Sequence, residues 1–197
     1  MRDFSMVIEP LETRRLLSAE VILQVIGSDS ADSITISQNE TNIIVTENGV
    51  SRTFQIGEIT RVIIEGNGGN DNIDCTTLKT KCSIDGDDGD DTVIGSEKSD
   101  RIDGGEGEDS LIGGKGSDNM RGEDDDDIVR GGKGNDTVNG GSGEDNLTGD
   151  ENDDLLDAND DIFEDTLTGG SGIDRAEVDD ELGISDNIVD LIEEVNE

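Results

Sequence analysis

A nine-residue period constrains this chain more than any other feature. Units of nine begin at Gly66, Gly86, Gly95, Gly104, Gly113, Gly122, Gly131, Gly140, Gly149 and Gly169. The sixth residue of every unit is Asp, and from Asp91 to Asp154 it recurs at each ninth position without a break. The eighth residue is always apolar: Val93, Ile102, Leu111, Met120, Val129, Val138, Leu147 and Leu156 across the unbroken run. Two units are two residues longer. Residues 75–85 carry Leu78 and Ile84, with Cys82 in the place of the Asp, and residues 158–168 carry Asp165 and Leu167 in the sixth and eighth places. Each reads as a half-turn with a small bulge that keeps the register. A short fixed period marks units that cannot bury an apolar face alone and must stack on their neighbours.

Composition taken alone argues the other way. The 197 residues include 51 acidic and 14 basic side chains, a net charge of -37, and 2% aromatics. Low hydrophobicity with high net charge ordinarily means disorder. A disordered acidic segment, however, has no reason to hold two residue classes in phase over eight consecutive units. The charge repels nucleic acid and anionic membranes, so cations are the natural partners. The absence of His removes His-based triads, His general bases and His zinc ligands. No apolar stretch approaches transmembrane length. Cys75 and Cys82, the two cysteines, can make one disulfide, and a reduced pair fits as well.

The units follow G-G-x-G-x-D-x-U-x with U apolar, best at Gly104, Gly113, Gly131, Gly140 and Gly169. Over about residues 66–177 they resemble the repeats-in-toxin (RTX, haemolysin-type) calcium-binding repeat. The resemblance implies an all-β fold, a right-handed parallel β-roll or β-helix solenoid with two nonapeptides per coil, six residues of turn and three of strand in each. It implies several Ca2+ ions between loops on the same side of successive coils. The side-chain ligands carried over are Asp71, Asp91, Asp100, Asp109, Asp118, Asp127, Asp136, Asp145, Asp154, Asp165 and Asp174. The backbone carbonyls carried over are those of Gly104, Gly105, Gly107, Gly113, Gly114, Gly116, Gly131, Gly132, Gly134, Gly140, Gly141 and Gly143.

The chemistry suits that spacing. Glycine admits backbone torsions closed to other residues and lets carbonyls approach an ion. Calcium takes six to eight oxygen ligands from carboxylates and carbonyls. One loop supplies one fixed carboxylate and several carbonyls, so two stacked loops complete a shell. With eighteen residues per coil, Asp91, Asp109, Asp127 and Asp145 form one column and Asp100, Asp118, Asp136 and Asp154 the other. Carboxylates about 4.8 Å apart repel one another until cations separate them. Metal binding is therefore expected to be coupled to folding. The loops at Gly113 and Gly131 fit best, making Asp118 and Asp136 the strongest pair. The loop at Gly95 has Lys98 where Gly is wanted, and those at Gly122 and Gly149 have Asp125 and Asn152 there. Asp124, Asp125 and Asp126 are either extra ligands or, more in keeping with surface charge, solvated.

The ends have another texture. Residues 20–65 alternate apolar and polar in short β-branched runs, which read as strands of a β-helical N-terminal cap continuous with the roll. GSDSADSIT from Gly27 fits the nonapeptide frame, with Asp32 as a turn residue. A cap is expected because a bare strand edge invites aggregation. Residues 1–19 form a leader, and Pro10 to Ser18 within it resembles a short Leu-Glu-Pro-Arg-x-Leu-Leu element of some exported bacterial proteins. A disordered segment or a short amphipathic helix is the alternative. Residues 178–197 carry Ile184, Ile188, Leu191, Ile192 and Val195 at near-helical spacing, as a terminal cap or a secretion-related tail. The expected function is that of a secreted or surface calcium-binding structural protein, not an enzyme. The alternatives are an adhesin or matrix unit joined by calcium-bridged self-association or to a cell-surface partner, and, less in keeping, a hydrolase or epimerase fragment.

Overall fold

The computed structural model describes residues 21–57, 59–158, 164–178 and 187–189. The leader at 1–19 lies outside them, as does the tail apart from 178 and 187–189. In chain order the strands are β1 (Val21–Ile26), β2 (Ser33–Gln38), β3 (Asn42–Glu47), β4 (Val50–Gln55), β5 (Ile59–Glu65), β6 (Asn72–Asp74), β7 (Cys82–Asp88), β8 (Thr92–Ile94) and β9 (Arg101–Glu106). They continue as β10 (Ser110–Lys115), β11 (Asn119–Asp124), β12 (Ile128–Lys133), β13 (Thr137–Ser142), β14 (Asn146–Glu151), β15 (Leu155–Ala158), β16 (Thr166–Ser171), β17 (Arg175–Val178) and β18 (Asn187–Val189). No helix occurs among the described residues.

From β5 onward successive strands alternate between two sheets, and each strand pairs parallel with the strand two places on. One sheet has eight strands in the order β1-β5-β7-β9-β11-β13-β15-β17, and the other ten in the order β18-β16-β14-β12-β10-β8-β6-β2-β3-β4. This is the β-roll with two nonapeptides per coil. Leu111 pairs with Val129 and Met120 with Val138, eighteen residues apart. At the two longer units the step grows by two: Ile73 pairs with Val93 and Leu147 with Leu167. The eighth-position residues stay aligned, so the extra residues leave the core register intact.

Strands are longer than the three residues per unit that the resemblance implied. In β10 the last three residues of one unit run on into the first three of the next, because Gly114 and Lys115 keep pairing with Gly132 and Lys133. Only the fourth to sixth residues remain for the turn. Alternation along such a strand points the eighth and first residues inward: Leu111 and Gly113 are buried while Ser110 and Ile112 are partly exposed. The core is thus one aliphatic column per sheet. Ile102, Met120, Val138 and Leu156 line one, and Val93, Leu111, Val129, Leu147 and Leu167 line the other, all fully buried.

The N-terminal strands continue the stack through β1, β2 and β5, and then depart from it. β2 pairs parallel with β6 but antiparallel with β3, which pairs antiparallel with β4. The β3–β4 turn is Asn48-Gly49, with φ of 47° and 80°. Positive φ at both central residues defines the tight hairpin whose twist matches its strands. Phe54, Ile56 and Ile59 pack against the core beside this hairpin. At the other end Asn187–Val189 is strand β18, paired with β16, where the apolar spacing had suggested a helix.

Candidate metal centre

Turns of alternate units stack along the two edges of the roll, and the sixth-position Asp of each turn faces inward. Asp71, Asp91, Asp100, Asp109, Asp118, Asp127, Asp136, Asp145, Asp154, Asp165 and Asp174 are all at most 5% exposed. Such burial of carboxylates demands compensation. Half of it comes from the stack itself. The amide N–H of Asp118 donates to Oδ1 of Asp136 at 2.7 Å, and Asp100 donates in the same way to Asp118 and Asp136 to Asp154. The other edge repeats this from Asp71 to Asp91, Asp109, Asp127, Asp145 and Asp165. The first column ends with Asp154 donating to Asp174. The two columns expected from the spacing are therefore present as two hydrogen-bonded ladders.

The second oxygen is treated differently. Oδ2 of Asp71, Asp91, Asp109, Asp118, Asp127, Asp136 and Asp154 is buried and meets no donor. It faces the first residue of its own unit and a carbonyl of the next coil. A Cβ built on Gly113 would lie 2.5 Å from Asp118 Oδ2 and 2.6 Å from the carbonyl oxygen of Gly131. Glycine at position one leaves that space to two oxygens. Carbonyls of Gly104, Gly113, Gly131 and Gly140 point toward the preceding coil in this way, while those of Gly114 and Gly89 point at Gly132 and Gly107 of the following one. An orphaned buried carboxylate oxygen beside a backbone carbonyl is the donor set of a hard cation. Among the described residues no three acidic or cysteine side chains converge on one point. Each loop holds one buried carboxylate with backbone carbonyls beside it.

Burial dominates the electrostatics. It raises the carboxyls of Asp118 and Asp127 to about 8, that of Asp154 to about 7, and those of Asp71, Asp91 and Asp109 to about 6. The N–H donated by the Asp of the preceding coil pulls each back, and neighbouring carboxylates push it further up. Desolvated carboxylates without a cation prefer the proton.

Loops differ in how Oδ2 is met. At Asp100 the Ser96 N–H donates to Oδ2 at 2.6 Å and the Ser96 hydroxyl lies 3.0 Å from Oδ1. The Gly95 loop had looked weak because of Lys98, but Ser96 is the residue that fills its carboxylate. Asp32, expected as a turn residue, heads the second ladder by donating its N–H to Asp71 Oδ1 at 2.7 Å. Its own carboxylate takes the Ser28 N–H at 2.6 Å and the Asn48 side-chain amide. In the loops at Gly122 and Gly149, Glu123, Asp125, Asp150 and Asn152 hold positive φ where regular units have glycine. Asp124, Asp125 and Asp126 are exposed.

A family model described as the RTX calcium-binding nonapeptide repeat (4 copies) matches residues 85–120 and again 121–156. No curated protein matches the chain. The matched segment spans the stretch in which the Oδ2 cradles are most regular, and repeats of this kind bind several Ca2+ ions.

Proposed function

We propose, from the premise that residues 85–156 are RTX calcium-binding nonapeptide repeats, that this chain is an exported structural protein whose roll forms when calcium binds. The observation that carries this reading is the row of buried, donorless Oδ2 atoms. A calcium-free roll would hold these carboxylates desolvated and stacked along two edges, against one buried aliphatic side chain per unit. Calcium supplies the positive charge that such oxygens lack.

In this reading Asp118, with the Gly131 carbonyl beside its Oδ2, and Asp136, with the Gly149 carbonyl beside its own, form the best cation site. Asp91, Asp109, Asp127 and Asp154 hold others in the same manner. Asp100 contributes least, since Ser96 already occupies its Oδ2. Low calcium inside a cell would leave the repeats unfolded for export, and higher calcium outside would fold them at the surface or in the medium. A net charge of -37 keeps nucleic acids and anionic membranes away. Far-UV circular dichroism of the calcium-stripped chain at neutral pH tests the reading. Disorder that converts to β-structure in millimolar calcium supports it, and an unchanged spectrum refutes it.

One observation favours self-association as a second reading. β7, β9, β11, β13, β15 and β17 carry nine acidic and three basic side chains, whereas β8, β10, β12, β14 and β16 carry two acidic and three basic. On that second face Lys115 pairs with Glu97, Arg130 with Asp150 and Lys133 with Glu151. A face whose strands carry three basic side chains against two acidic ones is where two such acidic chains can approach. Light scattering with and without calcium separates an assembling chain from a monomer.

A further inference from the structure

The first and sixth residues of the nine-residue units from Gly66 to Gly149 lie against each other. A Cβ built on Gly66 would come 2.6 Å from Asp71 Oδ2, and one on Gly95 would come 3.1 Å from Asp100 Oδ2. Side chains are admitted at the first position in the two eleven-residue units, which place Cys75 and Ala158 there, both buried. The unit at 75–85 also replaces the sixth-position Asp, with Cys82. The backbone of Cys82 behaves as that Asp would: its N–H donates to Asp100 Oδ1 at 2.7 Å. Leu78 N–H donates to the Cys75 carbonyl at 2.8 Å, closing the turn that brings the chain back. Cys75 and Cys82 are 0% and 3% exposed and are free thiols in this structure, one at the first and one at the sixth position of the unit.

We propose that Cys75 and Cys82 form a disulfide that closes this coil where the units further along are closed by a carboxylate and a cation. The bond itself rests on the fold, and its role in the stack rests on the calcium reading. Its place in the ladder gives it a role. Cys82 begins the column that continues through Asp100, Asp118, Asp136 and Asp154. The next carboxylate, Asp100, has Oδ2 filled by Ser96. On this edge the two turns nearest the N-terminal strands are thus held by the chain's own bonds, and open carboxylates begin only at Asp118, whereas the facing edge already has them at Asp71 and Asp91. A disulfide here gives one edge of that end a fixed turn on which the next turns of the column stack.

Both thiols are enclosed once the coil closes, so oxidation precedes closure. A low-molecular-weight disulfide is a sufficient oxidant. One cysteine thiolate attacks it, forming a mixed disulfide and releasing one small thiol. The second cysteine then attacks the mixed disulfide at the protein sulfur, the Cys75–Cys82 S–S bond forms and the other small thiol leaves. Each cysteine loses one proton, and the two electrons end on the small thiols.

The test uses the full chain, reduced and unfolded, then refolded in calcium with a mixture of oxidised and reduced glutathione. Alkylation in denaturant and intact mass follow. The expected product is a monomer two hydrogen atoms lighter that takes up no alkylating agent, with peptides containing Cys75 and Cys82 linked. Two alkylated cysteines, stable glutathione adducts or chain-to-chain disulfides overturn the proposal. Adding a reductant to the oxidised protein should lower its urea midpoint and leave that of the Cys75→Ser, Cys82→Ser double variant unchanged. An unshifted midpoint in the oxidised protein overturns the closing role.

Discussion

Oδ1 of Asp136 accepts the N–H of Asp118 at 2.7 Å, while Oδ2 of the same buried carboxylate has no donor. One oxygen binds coil to coil and the other is buried without a partner. In the proposed reading the same side chain builds the ladder and the site, in keeping with Asp at the sixth position of all the regular units.

Splitting the two roles gives the first prediction. In Asp136→Asn the side-chain carbonyl can still accept the Asp118 N–H, but an amide donor replaces Oδ2. Calcium affinity at that site should fall by at least the roughly 10- to 100-fold that loss of a partner behind a metal ligand costs. Asp100→Asn should cost much less, because the Ser96 N–H already fills its Oδ2. Calorimetric titration of both variants checks this; equal losses would count against it.

The carboxyl shifts predict an acid-induced fold. Asp118 and Asp127 titrate near 8 in the roll and Asp154 near 7, against about 3.9 in an unfolded chain. With folded values raised, the folded state binds more protons between those limits, so stability is present below about pH 4 and lost as pH rises toward 8. The calcium-stripped chain should gain β-structure as pH is lowered from 8 to 4. Circular dichroism in metal-free buffer reads this directly, and a flat profile would contradict it.

Backbone strain marks where the roll can be improved. Glu123, Asp125, Asp150 and Asn152 hold φ of 89°, 73°, 78° and 86°. Left-handed torsions cost a residue with a side chain about 1–2 kcal/mol, part of which glycine returns through its freer unfolded chain. Asn152→Gly and Glu123→Gly should each stabilise the calcium-loaded roll by roughly 1 kcal/mol in urea unfolding. Gly131→Ala should do the opposite, because its Cβ would come 2.8 Å from the Gly149 carbonyl oxygen and press on Asp136 Oδ2.

Much of this was legible in the sequence, and the gaps have physical causes. Phase alone placed Leu111, Met120 and Val129 in the core and sorted the Asp residues into two columns, because a stack repeats its environment every eighteen residues. Strand length was not legible: Gly114 and Lys115 read as turn residues, yet they pair with the next coil. Asn48-Gly49 is a hairpin signal inside a stretch that otherwise reads as solenoid strands, and it turns β3 and β4 antiparallel. Side-chain competition was the least legible. Ser96 and Lys98 both depart from glycine, and only the structure shows that the Ser96 amide closes Asp100. Likewise Asp32 joins a ladder from a unit separated from the others by two extra strands.

The central claim is that stacked loops bind calcium through the open Oδ2 of the sixth-position Asp residues. Calorimetric titration of calcium into the metal-stripped chain, beside a variant with Asp118, Asp127 and Asp136 all changed to Asn, tests it most directly. The account predicts several ions bound by the original chain and a clear drop in their number in the variant. Absence of saturable binding, or an unchanged number of ions in the variant, would contradict it.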